Sequence, residues 1–357
     1  MTFDWLDDKL VGRDYLAACW HEVQRHMLLW GTLGLAVILG LGSAYYIMFS
    51  MPGRSYTGAF QPLRADEMAL HDHLKQHVRV LAGEIGERQL WRPAALERAA
   101  QYIEAMWQAQ GYQVSRQPIV AEGKTVYNLE TELSGSLRRA EIVVVGGHYD
   151  SVRGSPGAND NATGTAAVLE LARLLAGQQL ARTVRFVAFV NEEAPFFQTD
   201  AMGSWLYVRR SRARGEQVVA MLSIETIGFY SDIVGSQHYP FPFGLLYPRT
   251  GNFIGFVGNI ASRALVRRSI AAFRQHTPFP SEGVAAPGWM TGIGWSDHWA
   301  FWQEGYPGVM VTDTALFRYA PYHTREDTPD QINYERMARV VAGLARVVTT
   351  LADAPTL

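Results

Sequence analysis

The sequence predicts an α/β protein with a mostly parallel, mixed central sheet and helices on both of its faces, preceded by one transmembrane helix. Three observations predict this class. From Glu141 onward, short apolar runs alternate with amphipathic helical segments, the order typical of parallel strands joined by helical crossovers. Residues 28–51 carry no charged side chain. With 357 residues, 48% of them hydrophobic, the chain can bury one large core or two small ones.

The first element is the uncharged stretch at 28–51, LLWGTLGLAVILGLGSAYYIMFSM. At ~1.5 Å per residue, a helix of this length crosses the ~30 Å hydrocarbon layer of a bilayer. We therefore predict a single membrane-spanning helix after a cytoplasmic segment at 1–27. A cleaved signal peptide is the alternative, but the apolar run exceeds a typical signal and a long segment with charges of both signs precedes it. Basic residues before the helix slightly outnumber those just after it, which favours an extracytoplasmic C-terminal domain.

Charge and cysteine content narrow the function classes. The formal net charge is −2 and the sequence has no run of Lys or Arg, so we predict no nucleic-acid partner. The single cysteine, Cys19, leaves no intramolecular disulfide to form. After a linker at 52–65, we predict one folded domain at 66–357, because its candidate functional residues are spread over that whole length.

Periodicity defines the elements of this domain in chain order. Helical spacing begins near Met68, and a second helix is closed by Gly111. Residues 231–252, rich in Pro, Gly and aromatic residues, are predicted to form a long surface excursion that lines a cleft. The remaining elements alternate: strands at 125–133 and 141–146, helix 164–176, strand 184–190, helix 202–212, strand 218–224, helix 258–275, strand 308–312 and helix 334–351.

Polar residues follow the predicted strands, at the edge where the carboxyl ends of parallel strands meet. His148 and Asp150 are two residues apart, so a continuing strand points both to the same side. An imidazole beside a carboxylate is typical of a metal-bound histidine and the group that orients it, although such a pair alone is more often a surface loop. Asp160 lies in the turn GANDNATG, where it either belongs to a functional site or only caps the next helix.

Further acids follow the next two strands. Glu192 and Glu193 are adjacent, and two neighbouring carboxylates are costly to bury without a cation. Glu225 ends another strand, and a late loop contributes His323 with Asp327 behind it. These oxygen and nitrogen donors suit Zn²⁺ better than a soft metal.

The order of these motifs resembles that of the M28 family of zinc aminopeptidases. It runs HxD, a GxNDNxxG turn, NEE, an acid ending a strand, SDH and YHTxxDT, over roughly residues 71–351. The resemblance implies two Zn²⁺ per chain, held by five ligands: His148 and Glu225 for one ion, Glu193 and His323 for the other, and Asp160 as a bridge.

The resemblance also implies a reaction. Glu192 is expected to act as general base in hydrolysis of a peptide with a free N-terminus, and Asp150 to orient His148. Two cations ~3.5–4 Å apart lower the pKa of a shared water, whose proton an unbound carboxylate accepts. The peptide bond between Asp160 and Asn161 is expected to be cis. One departure is Glu225, which stands where many family members have Asp.

Other residues are weaker candidates. Asp297 and His298, in the SDH element, are expected to support ligands or contact the substrate. Tyr322 precedes His323 and is a candidate of the same kind. Arg318 either approaches the substrate or forms a surface ion pair, and the surface ion pair is favoured. Three further histidines are predicted to lie on a solvated helix face: His71, His73 and His77.

Two alternatives remain open at this stage. A glutaminyl cyclase-like, single-zinc aminoacyltransferase shares the expected fold, but its metal-binding histidine typically follows Trp, whereas His323 follows Tyr322. A non-catalytic, peptidase-like ectodomain typically loses ligands or the base, whereas every such position is filled here.

Overall fold

The computed structural model describes residues 7–356, with side chains described from residue 15 onward. A boundary between Ser50 and Met51 separates two compact units. The first six residues of the predicted cytoplasmic segment lie outside the described part of the chain.

The first unit is one long helix, α1 (Asp7–Phe49). Its portion Tyr15–Phe49 is long and apolar enough to cross a membrane, with a mean hydropathy of 1.8 in its most apolar window and none of that window buried. At ~1.5 Å per residue, α1 is much longer than the ~30 Å hydrocarbon layer. The uncharged residues occupy its second half.

The second unit contains an eight-stranded sheet in the order β1-β2-β4-β3-β5-β8-β6-β7. Pairs β3·β4, β3·β5, β5·β8 and β6·β7 are parallel and the other three are antiparallel, so the predicted mixed sheet is confirmed. Its strands are β1 (Ser115–Ala121), β2 (Lys124–Leu133), β3 (Arg138–His148), β4 (Arg182–Phe189), β5 (Gln217–Glu225), β6 (Ile254–Gly258), β7 (Ser281–Ala285) and β8 (Gly308–Thr312).

Helices cover both faces of the sheet. The continuous apolar run of β3 explains this arrangement, because Val143 and Val145 join the larger core with α4 and α8, whereas Ile142 and Val144 join a smaller core with α5 and α7. The helices of this unit are α2 (Ala65–Val78), α3 (Pro93–Ala109), α4 (Thr163–Leu175), α5 (Gly203–Ala213), α6 (Arg263–His276), α7 (His298–Gln303) and α8 (Tyr334–Asp353).

Three strands were not predicted from the sequence. The helix expected at 258–275 begins only at Arg263, because Gly258 ends β6 (Ile254–Gly258) and the residues between form a turn in which Asn259 Oδ1 accepts a hydrogen bond from the backbone N–H of Ser262. The edge strand β1 contains Pro118 and several polar residues, which obscure its alternation. Strand β7 is short and begins with the polar residues Ser281 and Glu282.

The segment predicted as a linker, 52–65, is tied to the second unit. The guanidinium of Arg274 donates to the carbonyl oxygen of Pro52 at 3.0 Å. The ring of Phe60 stacks on Phe279 with centroids 5.4 Å apart. The chain is therefore ordered against α6 and β7 before α2 begins.

Arg88 fixes the loop that follows β3. Its side chain is fully buried, and its guanidinium donates to the carbonyl oxygens of Tyr149 at 2.6 Å and Gly157 at 2.8 Å, as well as to that of Pro156. One cation thus satisfies carbonyl groups at both ends of the loop that leads to Asp160.

We expect Arg88→Met to lower the free energy of unfolding by about 3 kcal/mol, because it leaves several buried carbonyl groups without donors. Urea unfolding followed by tryptophan fluorescence measures the change. Arg92→Met is the matched control, since the Arg92 side chain is 65% exposed. Equal effects of the two substitutions would contradict this role of Arg88.

Candidate metal centre

The carboxyl ends of three neighbouring parallel strands meet at one edge of the sheet. His148 is the last residue of β3, Glu225 is the last residue of β5, and Glu192 and Glu193 follow β4. Because β3 lies between β4 and β5, the imidazole is flanked by acids on both sides. The topology therefore brings together residues that are far apart in the sequence.

One cluster forms around His148. Its Nε2 lies 3.2 Å from Oδ1 of Asp160 and 3.3 Å from Oε2 of Glu225, and all three residues are buried. Among the described residues, this nitrogen has no hydrogen-bond partner despite those distances. The donor atoms converge on a common point instead of bonding one another, which is the arrangement that a shared cation requires.

A second cluster forms around His323. Its Nε2 lies 2.9 Å from Oδ2 of Asp160 and 3.2 Å from Oε2 of Glu193. In each cluster the donor atoms lie within 4.8 Å of one another. Asp160 belongs to both, with one carboxylate oxygen directed to each imidazole. The residues present therefore fit two cations that share one carboxylate.

Asp327 holds the backbone at Asp160. Its carboxylate accepts hydrogen bonds from the backbone N–H groups of Asn159 at 2.7 Å and Asp160 at 3.1 Å, and from the hydroxyl of Tyr319 at 2.8 Å. The next peptide bond, Asp160–Asn161, is cis, as the resemblance implied. The sequence suggested Asp327 only as a nearby acid, because its backbone partners lie more than 160 residues earlier.

Asp150 contacts two parts of the site. Nδ1 of His148 lies 3.2 Å from the carbonyl oxygen of Asp150 and 3.5 Å from the carboxylate of Asp150. That carboxylate also accepts hydrogen bonds from the backbone N–H groups of Glu192 at 3.2 Å and Glu193 at 3.3 Å. Asp150 therefore fixes the turn that carries both acids, a contact that the sequence did not indicate.

Glu192 lies beside the clusters without belonging to either. Its Oε2 is 3.7 Å from Nε2 of His148. Burial raises the pKa of the Glu192 carboxyl well above its usual range; the charge of His148 opposes this rise and that of Glu225 adds to it. A buried carboxyl group that belongs to neither cluster therefore faces the edge of the His148 cluster.

The electrostatics of the site favour a bound cation. Burial raises the pKa of both Glu193 and Glu225 to about 7, and the neighbouring Asp160 carboxylate contributes to each rise. Burial lowers the pKa of His323, but the carboxylates of Asp160 and Glu193 outweigh it and raise that pKa to about 10. Crowded buried carboxylates are costly unless positive charge compensates them.

Comparison with known proteins places this site in a family. Residues 128–348 match the family model described as Peptidase family M28. The chain belongs to peptidase family M28. The Escherichia coli (strain K12) protein YfbL is 36% identical over 283 residues, which cover 76% of this chain and 86% of YfbL. Leucine aminopeptidase 1 of Arthroderma otae is 28% identical over 60% of this chain, and the match spans 56% of that relative's length.

Solved structures share the fold of this M28 chain. The zinc aminopeptidase BSAP from Bacillus subtilis superposes with a TM-score of 0.63 at 16% identity, covering 80% of this chain and 96% of BSAP. A glutaminyl cyclase from Bacteroides thetaiotaomicron superposes with a TM-score of 0.59 at 15% identity, covering 78% and 97%.

The SDH element supports the M28 site from within the core. The hydroxyl of Ser296, a residue not singled out from the sequence, donates to Oε2 of Glu225 at 2.9 Å. Asp297 is fully buried, and burial raises the pKa of its carboxyl to about 7. Nε2 of His298 lies 2.8 Å from the carbonyl oxygen of Ile293, so its ring braces a loop.

Two expectations for individual residues were wrong. Arg318 does not form the favoured surface ion pair: it is buried, and it donates to Gln237 at 2.7 Å and to the carbonyl oxygen of Phe253 at 2.8 Å. His77 does not lie on a solvated face, because it is buried with Nε2 3.2 Å from a carboxylate oxygen of Glu170. In both cases the partner comes from a distant part of the chain.

We expect Glu225→Ala to weaken zinc binding by at least roughly 10- to 100-fold, because even the loss of a residue that supports a ligand has this cost. Glu225→Asp retains a carboxylate and serves as the control. Zinc per chain after dialysis against a zinc buffer, measured by atomic emission, is the readout. Unchanged zinc content in Glu225→Ala would remove Glu225 from the site.

Proposed function

We propose that the chain is a membrane-anchored, two-zinc aminopeptidase that removes N-terminal residues from peptides. The observation that carries this proposal is the pair of donor clusters that share Asp160, with the unshared carboxylate of Glu192 beside them. Membership of peptidase family M28 supports peptide hydrolysis, and the similarity to leucine and zinc aminopeptidases supports attack at the N-terminus.

In this proposal each cluster holds one zinc ion. His148 and Glu225 would hold the first, Glu193 and His323 would hold the second, and Asp160 would be shared between them. Bound zinc supplies a water of lowered pKa and polarises the carbonyl group of the scissile bond. The positive charge of the two ions would then compensate the negative charge of the buried carboxylates.

Glu192 is the proposed general base. Its Oε2 would accept a proton from the attacking water and return it to the departing amine, which suits a carboxyl whose pKa is raised by burial. Asp150 holds the backbone N–H groups of Glu192 and Glu193. The two neighbouring carboxylates are thereby kept in different orientations, one for the proton and one for the metal.

A pocket beside the donor clusters supports the proposed attack at the N-terminus. Glu225 and Tyr322 line a deep, largely apolar pocket beside the clusters. A substrate whose free amine lay beside His148 and Glu225 would place its first side chain in this pocket. A single-zinc transferase would leave one cluster of buried acids without a cation, so the geometry favours the peptidase.

Helix α1 is the proposed membrane anchor, and the peptidase unit is proposed to be extracytoplasmic. Full-length protein should resist carbonate extraction, whereas a chain that begins at Gly53 should be soluble and active, because the compact second unit starts at Met51. Recovery of mature protein that begins near Tyr45 would reveal a cleaved signal instead. Protease added to intact cells should digest the peptidase unit, and protection would reverse the orientation.

Substitutions of the adjacent acids test the catalytic proposal. Glu192→Gln keeps size and hydrogen bonding but cannot accept the proton, so kcat should fall by ~10²- to 10⁴-fold with zinc content near wild type. Glu193→Gln removes a charged ligand, so zinc content and thermal stability should both fall.

Excess zinc is expected to restore activity in part to Glu193→Gln and not to Glu192→Gln. Kinetics on an aminoacyl p-nitroanilide and zinc analysis separate the two effects. If Glu192→Gln lost zinc while Glu193→Gln kept full activity, the roles would be exchanged. If neither substitution affected activity, the two-zinc mechanism would be abandoned.

A further inference from the structure

The excursion at 231–252 exposes an apolar tip. The tip consists of Phe241, Leu245 and Leu246, which are 86%, 77% and 45% exposed. The stretch that contains it, 233–248 (IVGSQHYPFPFGLLYP), has no Asp, Glu, Lys or Arg. Large apolar side chains grouped on a surface are typical of a site that contacts a protein or a membrane. The tip is therefore a candidate docking surface.

The other side of the excursion faces the protein. Four of its residues line the pocket beside the metal centre: Tyr239, Pro240, Phe243 and Tyr247. The hydroxyl of Tyr239 donates to the carbonyl oxygen of Pro248 at 2.7 Å, and its ring stacks on that of Tyr247 with centroids 5.8 Å apart. Internal contacts of the excursion therefore hold the backbone from which the tip projects.

Tyr247 joins the excursion to the edge strand β7. Its hydroxyl donates to the carbonyl oxygen of Gly283 at 2.6 Å. The side chain of Met51 packs over the same glycine, since a methyl group added to Gly283 would lie 3.0 Å from Cγ of Met51 and 3.2 Å from its Sδ. Met51 and the excursion therefore contact one residue of β7, and Leu245 and Leu246 directly precede Tyr247 in the chain.

Two further contacts hold the start of the second unit at this edge of the sheet. The guanidinium of Arg274 donates to the carbonyl oxygen of Pro52 at 3.0 Å. The backbone N–H of Ser281 donates to Oγ of Ser55 at 2.9 Å. The point at which the chain enters the second unit is thus fixed beside β7, next to the excursion.

The proposed membrane anchor ends two residues before Met51. Helix α1 ends at Phe49, and two residues of extended chain span at most about 7 Å. The headgroup layer on each side of the ~30 Å hydrocarbon core is roughly 5–8 Å thick. The uncharged stretch ends at Met51, and Arg54 is the first charged residue after it. A chain anchored through α1 therefore carries Met51, and the excursion fixed beside it, at the lipid surface.

We propose that the tip docks on the phospholipid surface of the membrane in which α1 is anchored. This inference rests on the membrane anchor of the proposed function, since the anchor brings the tip to the bilayer. Aromatic and aliphatic side chains enter the boundary between headgroups and acyl chains readily when no charged group accompanies them. Docking of a second copy of the chain would not require the tip to lie near Met51, so its location favours lipid.

Docking of the tip would connect the membrane to the substrate pocket. Pro240 and Phe243 line the pocket and lie between or beside the tip residues in the chain. Lipid would therefore support the pocket wall from outside, and substrates would be bound close to the membrane surface.

Fluorescence in lipid nanodiscs tests this inference on the full-length chain. Cys19, the single cysteine, is replaced by serine, and Leu245→Cys is labelled with a polarity-sensitive fluorophore. The nanodiscs contain phosphatidylcholine and phosphatidylglycerol with a quencher near the headgroup. Because docked apolar surface enters the bilayer by ~5–10 Å, this probe should be quenched at least about twofold more strongly than one at Val120→Cys. Val120 is the matched control, 70% exposed on β1 at the opposite edge of the sheet.

Substitutions in the tip separate docking from proximity alone. Phe241→Glu with Leu246→Glu should reduce quenching of the Leu245→Cys probe to the level of the control probe, because an anionic surface repels acidic groups and their burial is costly. Ile233→Glu with Val234→Glu changes two exposed apolar residues of the same excursion outside the tip, and should leave the quenching unchanged. Phe241→Glu alone, at a residue that is 86% exposed, provides the test if the pair of substitutions destabilises the fold.

Equal quenching of the two probes, or quenching that persists after the acidic substitutions, would overturn the inference and leave the anchor standing. Blue-shifted emission without lipid quenching would show that protein covers the tip, as in a dimer, and would also overturn it. Release of the full-length chain by carbonate would refute the anchor and the inference together. Absence of peptidase activity in a chain whose tip is quenched would refute the proposed reaction alone.

Discussion

The crowding of buried carboxylates around two imidazoles is the constraint on which the rest of this structure depends. Asp160, Glu192, Glu193 and Glu225 are each at most 7% exposed, and they lie at the carboxyl-terminal edge of a sheet whose central strands are largely buried. Like charges at these distances repel strongly in a medium of low dielectric constant. Surrounding groups hold them in place: Arg88 and Asp327 fix the backbone before Asp160, and Asp150 fixes the turn that carries two of the acids.

The sequence located the centre well because the sheet is locally simple there. The carboxyl-terminal parts of strands β3, β4 and β5 are nearly continuous apolar runs, so the ends of these strands could be found, and parallel topology places those ends together. The motifs that follow these strands, together with the late YHTxxDT motif, contain every residue of the two donor clusters. Contacts between distant segments could not be predicted from such local motifs. Asp327 acts on a backbone more than 160 residues earlier, and His77 meets a glutamate 93 residues later.

The far half of the sheet was harder to predict, and this half bears on specificity. Strands β6 and β7 are each five residues long, and only four residues separate β6 from the first residue of α6. Without them the strand pairing that places Thr312, Gly255 and Glu282 beside one pocket could not be recognised. The burial of Arg318 was not predicted for the same reason. Its hydrogen-bond partners belong to the excursion at 231–252 and to the residue just before β6. The chemistry is thus carried by local motifs, whereas the pocket depends on strand pairing across the whole sheet.

The central claim is that two cations share the Asp160 carboxylate. Crystallographic anomalous scattering at the zinc edge, on protein loaded with zinc, tests it most directly. The account predicts two peaks ~3.5–4 Å apart, one on each side of Asp160, the first beside His148 and Glu225 and the second beside Glu193 and His323. A single peak in which only one of the two imidazoles takes part, or zinc bound away from Asp160, would contradict the account.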